Sequence, residues 1–458
     1  MANLRDLIKN DKIKNVLFIP VDDLRPELGC YGNENIVTPN IDKLAEEGMV
    51  FQRTYCQQAV CGPSRASLLS GCRPDTIGNY KYYVRLRDHL PEVLSLPQHF
   101  KNNGYETVSV GKVYHQLDDD PQGWSKTPYR AQGDWKGRGY LTDEAIEKIK
   151  NGASLGPATE AADVEDAAYQ DGQNLLSMIK ELRRLQNEKF FLAAGFSKPH
   201  LPFNAPRKYW DLYNREEIDL ADNPFVPEGV TEYSLTNFEE LRSYFGIPDQ
   251  GEVSEEKARE LIHGYYACVS YIDNLIGKLL NELKRLGLRE NTVIIMWGDH
   301  GWKLGEHASW SKHTNFEIDT RVPLIVSVPG MENKGCETKA LTEFVDIYPS
   351  LCELCGLDIP EHAAGKSFVP VLEKPDRDWK QAAYSQYPRK GGEVMGYSVK
   401  TDDNYRYTEW QDFSSSEVLA RELYDHNNDP QENVNVVKKK KYEEIVQKCS
   451  KIIKEKFN

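Results

Sequence analysis

Short, unbroken apolar runs recur along the chain, most of them closed by a small or polar residue. Val16-Leu17-Phe18-Ile19-Pro20-Val21 is the first, and its lack of alternation predicts a strand buried on both faces. Pro20 stands near its end, where a missing backbone donor is tolerated. Thr107–Val110 before Gly111, Phe190–Phe196, Val293–Met296 and Leu324–Val328 repeat the pattern. Between the runs the apolar spacing becomes helical. Thr38-Pro39 opens a segment whose Ile41, Leu44 and Ala45 share a face, and Thr38 is the expected cap. Val269, Ile272, Ile276, Leu279 and Leu283 form a longer stripe ending at Gly287. Strand and helix alternating in this way predict an α/β fold with a large, mostly parallel sheet flanked by helices.

From about Arg377 the texture changes. Ala383–Tyr387, Tyr397–Lys400 and Tyr405–Thr408 are aromatic-rich and alternate, as half-buried antiparallel strands do. Glu422-Leu423-Tyr424-Asp425 and a charged terminal helix follow. The expected organisation is an α/β domain over 1–376 and a smaller α+β subdomain with an antiparallel sheet over 377–458.

Composition narrows the partners. The 458 residues carry 57 Lys and Arg against 71 Asp and Glu, a net charge of −14, so no global basic field recruits nucleic acid or an anionic membrane. No apolar run approaches the roughly 20 residues that span a bilayer. Met1–Lys14 is polar and lacks a secretory apolar core, so the expected location is the cytoplasm, or the periplasm or exterior if a signal has been removed. Nine cysteines show no framework spacing. Cys352-x-x-Cys355 lacks a second ligand pair and reads as two small apolar residues on a buried helix face. The basic run Lys438–Lys441 reads as a solvated helix start.

The chemistry-bearing residues stand just after the predicted strands, where open α/β sheets bind their ligands. Asp22-Asp23 follows the first strand and Asp299-His300 follows the Val293–Gly298 run. Neighbouring carboxylates repel, so a buried set needs a cation or a proton. Oxygen-rich ligation favours Ca²⁺ or Mg²⁺, and the imidazole leaves Mn²⁺ and Zn²⁺ open. Lys112 and His115 follow a third strand, and His200 follows a fourth. Cys61-Gly62-Pro63-Ser64-Arg65 places a thiol at a helix start that ends near Gly71. There Cys61 is either a low-pKa nucleophile or the substrate of a modification. Lys312 adds a cation after the Asp299 pair, whereas His307 and His313 are expected to be scaffold.

Cys61-x-Pro63-x-Arg65 resembles the signature of the type I, formylglycine-dependent sulfatases. Val21–Pro26, Gln57–Arg65, Ser109–His115, Lys198-Pro199-His200, Asp299–Trp302, Leu304–His307, Tyr384–Arg389 and Met395–Ser398 occur in the order of that family's iduronate-2-sulfatase-like branch, within the alkaline phosphatase superfamily. The resemblance implies that a separate formylglycine-generating enzyme converts Cys61, and that the hydrated aldehyde attacks sulfur. It implies a divalent cation, most often Ca²⁺, held by Asp22, Asp23, Asp299, His300 and residue 61. It assigns Arg65, Lys112 and Lys312 to sulfate charge, His200 to protonating the leaving oxygen, and His115 to taking a proton from the hydrate. The implied substrate is a sulfated mono- or oligosaccharide of glycosaminoglycan type, with Trp302, Arg389 and Lys390 as its contacts. Only Lys390–Val394 separates Arg389 from Met395, shorter than in that branch, so Lys390 is the expected carboxylate reader and a sulfated algal sugar stays open. A phosphate or phosphonate monoester hydrolase, or a sulfated-glycan binder with unconverted Cys61, are the rival classes.

Overall fold

The computed structural model describes residues 4–9, 12–83, 85–132, 139–151 and 155–457. Its centre is a seven-stranded sheet in the spatial order Cys336–Thr338, Met49–Phe51, Leu324–Ser327, Thr292–Gly298, Asn15–Val21, Phe190–Gly195, Glu106–Gly111. All strands run one way except Leu324–Ser327, which pairs antiparallel on both sides. The expected α/β architecture is therefore what forms.

Sequence pattern explains why the sheet lies inside. Leu17, Ile19 and Val21 face one apolar cluster and Val16 and Phe18 face another. A strand apolar at every position satisfies both faces only when both are covered. One face is covered by the Glu255–Arg285 helix together with Gln170–Arg184 and Pro39–Glu46. The other carries Cys61–Ser70, Leu96–Asn102 and Ile347–Leu354. Cys352 and Cys355 are free thiols buried in that second cluster.

The Pro39–Glu46 helix starts as its sequence predicts, but its cap differs. The Thr38 hydroxyl accepts from Gly29 N (3.0 Å) instead of capping. Asp273, from the long helix, accepts from Asn40 N (3.0 Å) and Ile41 N (2.7 Å). A carboxylate brought in by tertiary packing satisfies the helix donors better than a local hydroxyl.

The C-terminal part is a four-stranded antiparallel meander, Ala382–Arg389, Val394–Thr401, Tyr405–Asp412 and Val418–Asp425. The Glu443–Phe457 helix covers it, with Cys449 and Ile453 packing on Met395, Val399, Tyr407 and Leu423. Lys438–Lys441 is exposed, as a solvated helix start should be. This sheet grips the segment that leads to Cys61: Gln386 N donates to Gln57 O (2.8 Å) and Ser385 Oγ to Cys56 O (2.6 Å).

Two strand ends cross very closely. Gly111 has φ +79°, and a Cβ there would lie 1.8 Å from Gly195 O. Gly111→Ala must both strain the backbone and push the chains apart, so it should lower stability by more than about 1 kcal/mol, read as a fall in the urea midpoint.

Candidate active site

Four adjacent parallel strands deliver their C-terminal ends to one place. Val21 is in register with Gly298, and Gly111 with Gly195, so the residues that follow emerge side by side. They are Asp22-Asp23, Asp299-His300, the Lys112–His115 loop and the loop carrying His200. Asp23 takes a left-handed backbone (φ 56°) and donates its N–H to Asp299 Oδ1 (2.9 Å).

Cys61 is the first residue of a wholly buried helix, and Gly71 ends that helix at φ +70°. Its Sγ lies 3.2 Å from His300 Nε2 and 3.9 Å from Lys112 Nζ. Burial and the Asp22 charge push the thiol well up, and Lys112 and Lys312 do not overcome them. As a thiol, Cys61 is protonated and a poor nucleophile.

Burial would also raise Asp22, but Lys112 and Arg65 hold its carboxyl well below the ordinary carboxylate range. Asp299 is raised by burial, against the pull of Arg65. Lys112 Nζ pairs with Asp22 Oδ2. Lys312 Nζ lies between Asp23 Oδ2 (3.0 Å) and Glu240 Oε2 (2.9 Å).

The donor set fits a hard divalent cation. His300 Nδ1 faces Gly301 O (2.9 Å), a group that only accepts, so Nδ1 carries the proton. Nε2 then presents a lone pair towards Asp23 Oδ1 (3.4 Å) and Asp299 Oδ1 (3.6 Å). A lone pair facing carboxylate oxygens is repulsive unless a cation lies between. Ligand atoms of Asp22, Asp23, Cys61 and His200, and of Cys61, Asp299 and His300, form two overlapping groups each spanning less than 4.8 Å.

Above Cys61 opens a cavity of about 690 Å³. His115, His200, Lys312, His313 and Arg389 line it, together with Tyr82, Glu239 and Glu240. The two histidines assigned to proton transfer have different surroundings. His115 is pushed down to about 3 by burial and then by Lys112, and its Nδ1 is buried without a hydrogen-bond partner among the described residues. It is a neutral base at ordinary pH. His200 meets an acceptor at each nitrogen, Leu201 O at Nδ1 (2.7 Å) and Glu240 Oε1 at Nε2 (3.1 Å). Both ring nitrogens thus stand against oxygens that can only accept, one of them a carboxylate.

Three expectations need correction. Arg65 does not face the cavity. It is fully buried and donates to Asp299 Oδ2 (2.8 Å), Asp22 Oδ1 (3.0 Å), Lys112 O (2.7 Å) and Val113 O (2.8 Å). Every arm of the guanidinium is engaged, so Arg65 positions the carboxylates and makes no contact with substrate. Trp302 does not wall the cavity either. It is 1% exposed, lies in the core and carries the Lys312 ammonium 4.8 Å from its ring. Lys390 lies outside the cavity, because a left-handed turn (φ 49°) sends its ammonium over Tyr233, 4.9 Å from the ring. Arg389 does line the cavity, with its guanidinium on Tyr233 O (2.6 Å) and His313 O (2.6 Å).

Two cavity residues were not legible in the sequence. His313, expected to be scaffold, reaches the cavity through a positive φ of 85°, a conformation no local motif announces. Glu240 comes from a four-residue helix in a stretch without periodicity, where a lone Glu reads as a solvated charge. Burial opposes its ionisation, yet Lys312 and His200 hold it well below the ordinary range. His307 is scaffold, its Nε2 on Gln431 O (2.8 Å).

Comparison with known proteins bears on this geometry. Residues 14–357 match the family model described as Sulfatase, and residues 305–458 match the one described as N-sulphoglucosamine sulphohydrolase, C-terminal. The chain is 36% identical to iduronate 2-sulfatase of Mus musculus, over 92% of this chain and 90% of that protein. Its fold superposes at a TM-score of 0.78 on a structure solved in complex with its substrate D-glucosamine-2-N,6-O-disulfate, at 23% identity and covering 97% of each chain. The phosphonate monoester hydrolase of Agrobacterium radiobacter shares the fold equally (TM-score 0.78, 21% identity, covering 96% of this chain and 95% of that one).

Two neutral histidines tie stability to acidity. Unfolded, His115 and His313 titrate near 6.5; folded, burial and the lysine beside each hold them at about 3. Between those values the unfolded chain binds more protons, so their contribution is complete above pH 6.5 and is lost as pH falls towards 3. Urea midpoints should fall between about pH 7 and about pH 4.5, and less steeply in His115→Asn. Equal slopes would remove His115 from the account.

Proposed function

This chain belongs to the sulfatase family of the alkaline phosphatase superfamily and is a sulfuric ester hydrolase acting on sulfated sugars; from that premise we propose that it removes the 2-O-sulfate of a terminal hexuronate in short glycosaminoglycan-type sugars, with formylglycine made from Cys61 as its nucleophile. The observation that carries the reading is the setting of Cys61 itself. It stands beneath the cavity, among Asp22, Asp23, Asp299 and His300, in a place where a thiol is held protonated. That setting favours a cysteine that another enzyme has oxidised over one that acts as a thiol. The choice of sugar is supported by the similarity to iduronate 2-sulfatase over nearly the whole of both chains.

Asp22, Asp23, Asp299 and His300, with residue 61, would hold the divalent cation, most readily Ca²⁺, which when bound polarises sulfate oxygen and favours an ionised hydroxyl. Formylglycine supplies the hydrated aldehyde that attacks sulfur. The rest of the work falls to the chain's own side chains. Lys112 and Lys312 present ammonium groups beside residue 61, where charge grows on the sulfate oxygens in the transition state. His200, protonated against Glu240, gives its proton to the leaving sugar oxygen. His115, neutral and with a free lone pair, takes a proton from residue 61 so that sulfate departs. Each such transfer is worth on the order of 10²–10⁴ in rate. With Lys390 outside the cavity, Arg389 is the cation left to meet a uronate carboxylate.

Cys61→Ala should lose sulfate release altogether and keep its unfolding free energy in urea within about 1 kcal/mol of the parent, as a small change at a helix start. Intact-protein mass should show residue 61 converted in active preparations. Turnover by the alanine variant, or by fully unconverted protein, would end the covalent mechanism. Terminal 2-O-sulfated uronates should be cleaved far faster than aryl phosphonates.

Removal of the cation should leave the carboxylates mutually repelling. Chelation should abolish activity and lower the melting temperature, and added Ca²⁺ should restore both. Elemental analysis should find about one divalent ion per chain. Full activity in metal-free protein would refute the assignment.

A further inference from the structure

Trp302 is buried, so the aromatic surface offered to a sugar comes from elsewhere. Tyr82, at the mouth of the cavity, supplies it. Tyr82 lines the cavity beside Cys61 and is 54% exposed, and Tyr83 next to it is 56% exposed. Their rings are 5.3 Å apart and perpendicular, and the Tyr82 ring meets His115 edge-on at 5.5 Å.

The pair is held in place although its rings face water. Gln58 Nε2 donates to Tyr80 O (2.9 Å), Lys81 N to Asn79 Oδ1 (2.8 Å) and Gln116 Nε2 to Tyr83 O (2.6 Å). These bonds tie the 79–83 segment to the approach to Cys61 and to the loop after His115. The tightest constraint comes from Gly62. A Cβ at that position would lie 2.7 Å from both Tyr82 Cα and Tyr82 O. The glycine after Cys61 therefore lets the Tyr82 backbone rest directly on the start of the nucleophile helix. A large aromatic side chain, exposed on a pinned backbone at the rim of the cavity and braced edge-to-face by Tyr83, has the form of a platform awaiting a flat partner.

The chemistry of that partner follows from the ring. The face of a phenol is the negative end of its quadrupole. It repels a sulfate and attracts polarised C–H groups, which pyranose rings present on one face. The sulfate belongs with Lys112 and Lys312 deep in the cavity, so a ring at the rim is a different sugar. We propose that Tyr82 is a stacking subsite for the sugar residue next to the sulfated one, making the enzyme a reader of disaccharides and longer chains. This rests on the sulfated-sugar reading above.

The test separates the two. In Cys61→Ala protein, which binds without turnover, calorimetry should compare a disaccharide bearing a terminal 2-O-sulfated uronate with the 2-O-sulfated uronate alone. Adding Tyr82→Ala should weaken the disaccharide about tenfold and at least five times more than the monosaccharide, the scale of one aromatic stacking contact. Tyr82→Phe should bind the disaccharide as the parent does, since the face and not the hydroxyl carries the contact. In the active enzyme Tyr82→Ala should raise KM on the disaccharide more than it lowers kcat. Equal weakening of both sugars, no weakening of either, or loss in the Phe variant would overturn the platform alone. Failure of the Cys61→Ala parent to bind any sulfated sugar would overturn the underlying reading, and the platform with it.

Discussion

The arrangement depends on one problem of charge: Asp22, Asp23 and Asp299 are buried side by side in the protein interior. An ionised carboxylate taken out of water costs several kcal/mol unless it is paired. The structure answers with Arg65, Lys112 and Lys312, each nearly or wholly buried. Arg65 is the keystone, because it spans Asp22 and Asp299 from below and also binds the carbonyls of Lys112 and Val113. One planar fork thus aligns two strand ends and a third loop at once, which a lysine has no geometry to do. Removing one partner of such a pair strands a buried charge, at a cost of about 3–5 kcal/mol.

That solution determines where chemistry takes place. The parallel sheet brings four chain ends to one edge, and Arg65 sits beneath them on the same helix that begins with Cys61. Residue 61 therefore faces the carboxylates because Arg65 must. The antiparallel sheet steadies this from the other side by binding the backbone at Cys56 and Gln57. The cysteine is consequently surrounded by charge and almost wholly buried at the floor of the cavity.

Glu240 gives the site its asymmetry. Its carboxylate holds His200 on one oxygen and Lys312 on the other. Around His115, burial and Lys112 outweigh the Asp22 carboxylate. One histidine is thereby paired with a carboxylate, while the other is held neutral by burial and Lys112.

Much of this was legible in the sequence. The apolar runs gave away the sheet because a strand buried on both faces cannot alternate. Asp22-Asp23, Asp299-His300, Lys112, His115 and His200 stood out because each follows such a run at short range, and Cys61-x-Pro63-x-Arg65 is a contiguous motif. What only the tertiary structure decided is which way side chains point once distant segments meet. Arg65 and Trp302 turned inward to meet buried carboxylates and a lysine. Lys390 was turned away by a single left-handed residue, and His313 was turned in by another. Glu240 and Tyr82 gained their places from segments with no periodicity, Tyr82 through contact with the bare Cα of Gly62. Local pattern determines which elements form, because it is read over a few residues; the partner of a charge or the face of a ring depends on atoms tens to hundreds of residues away along the chain.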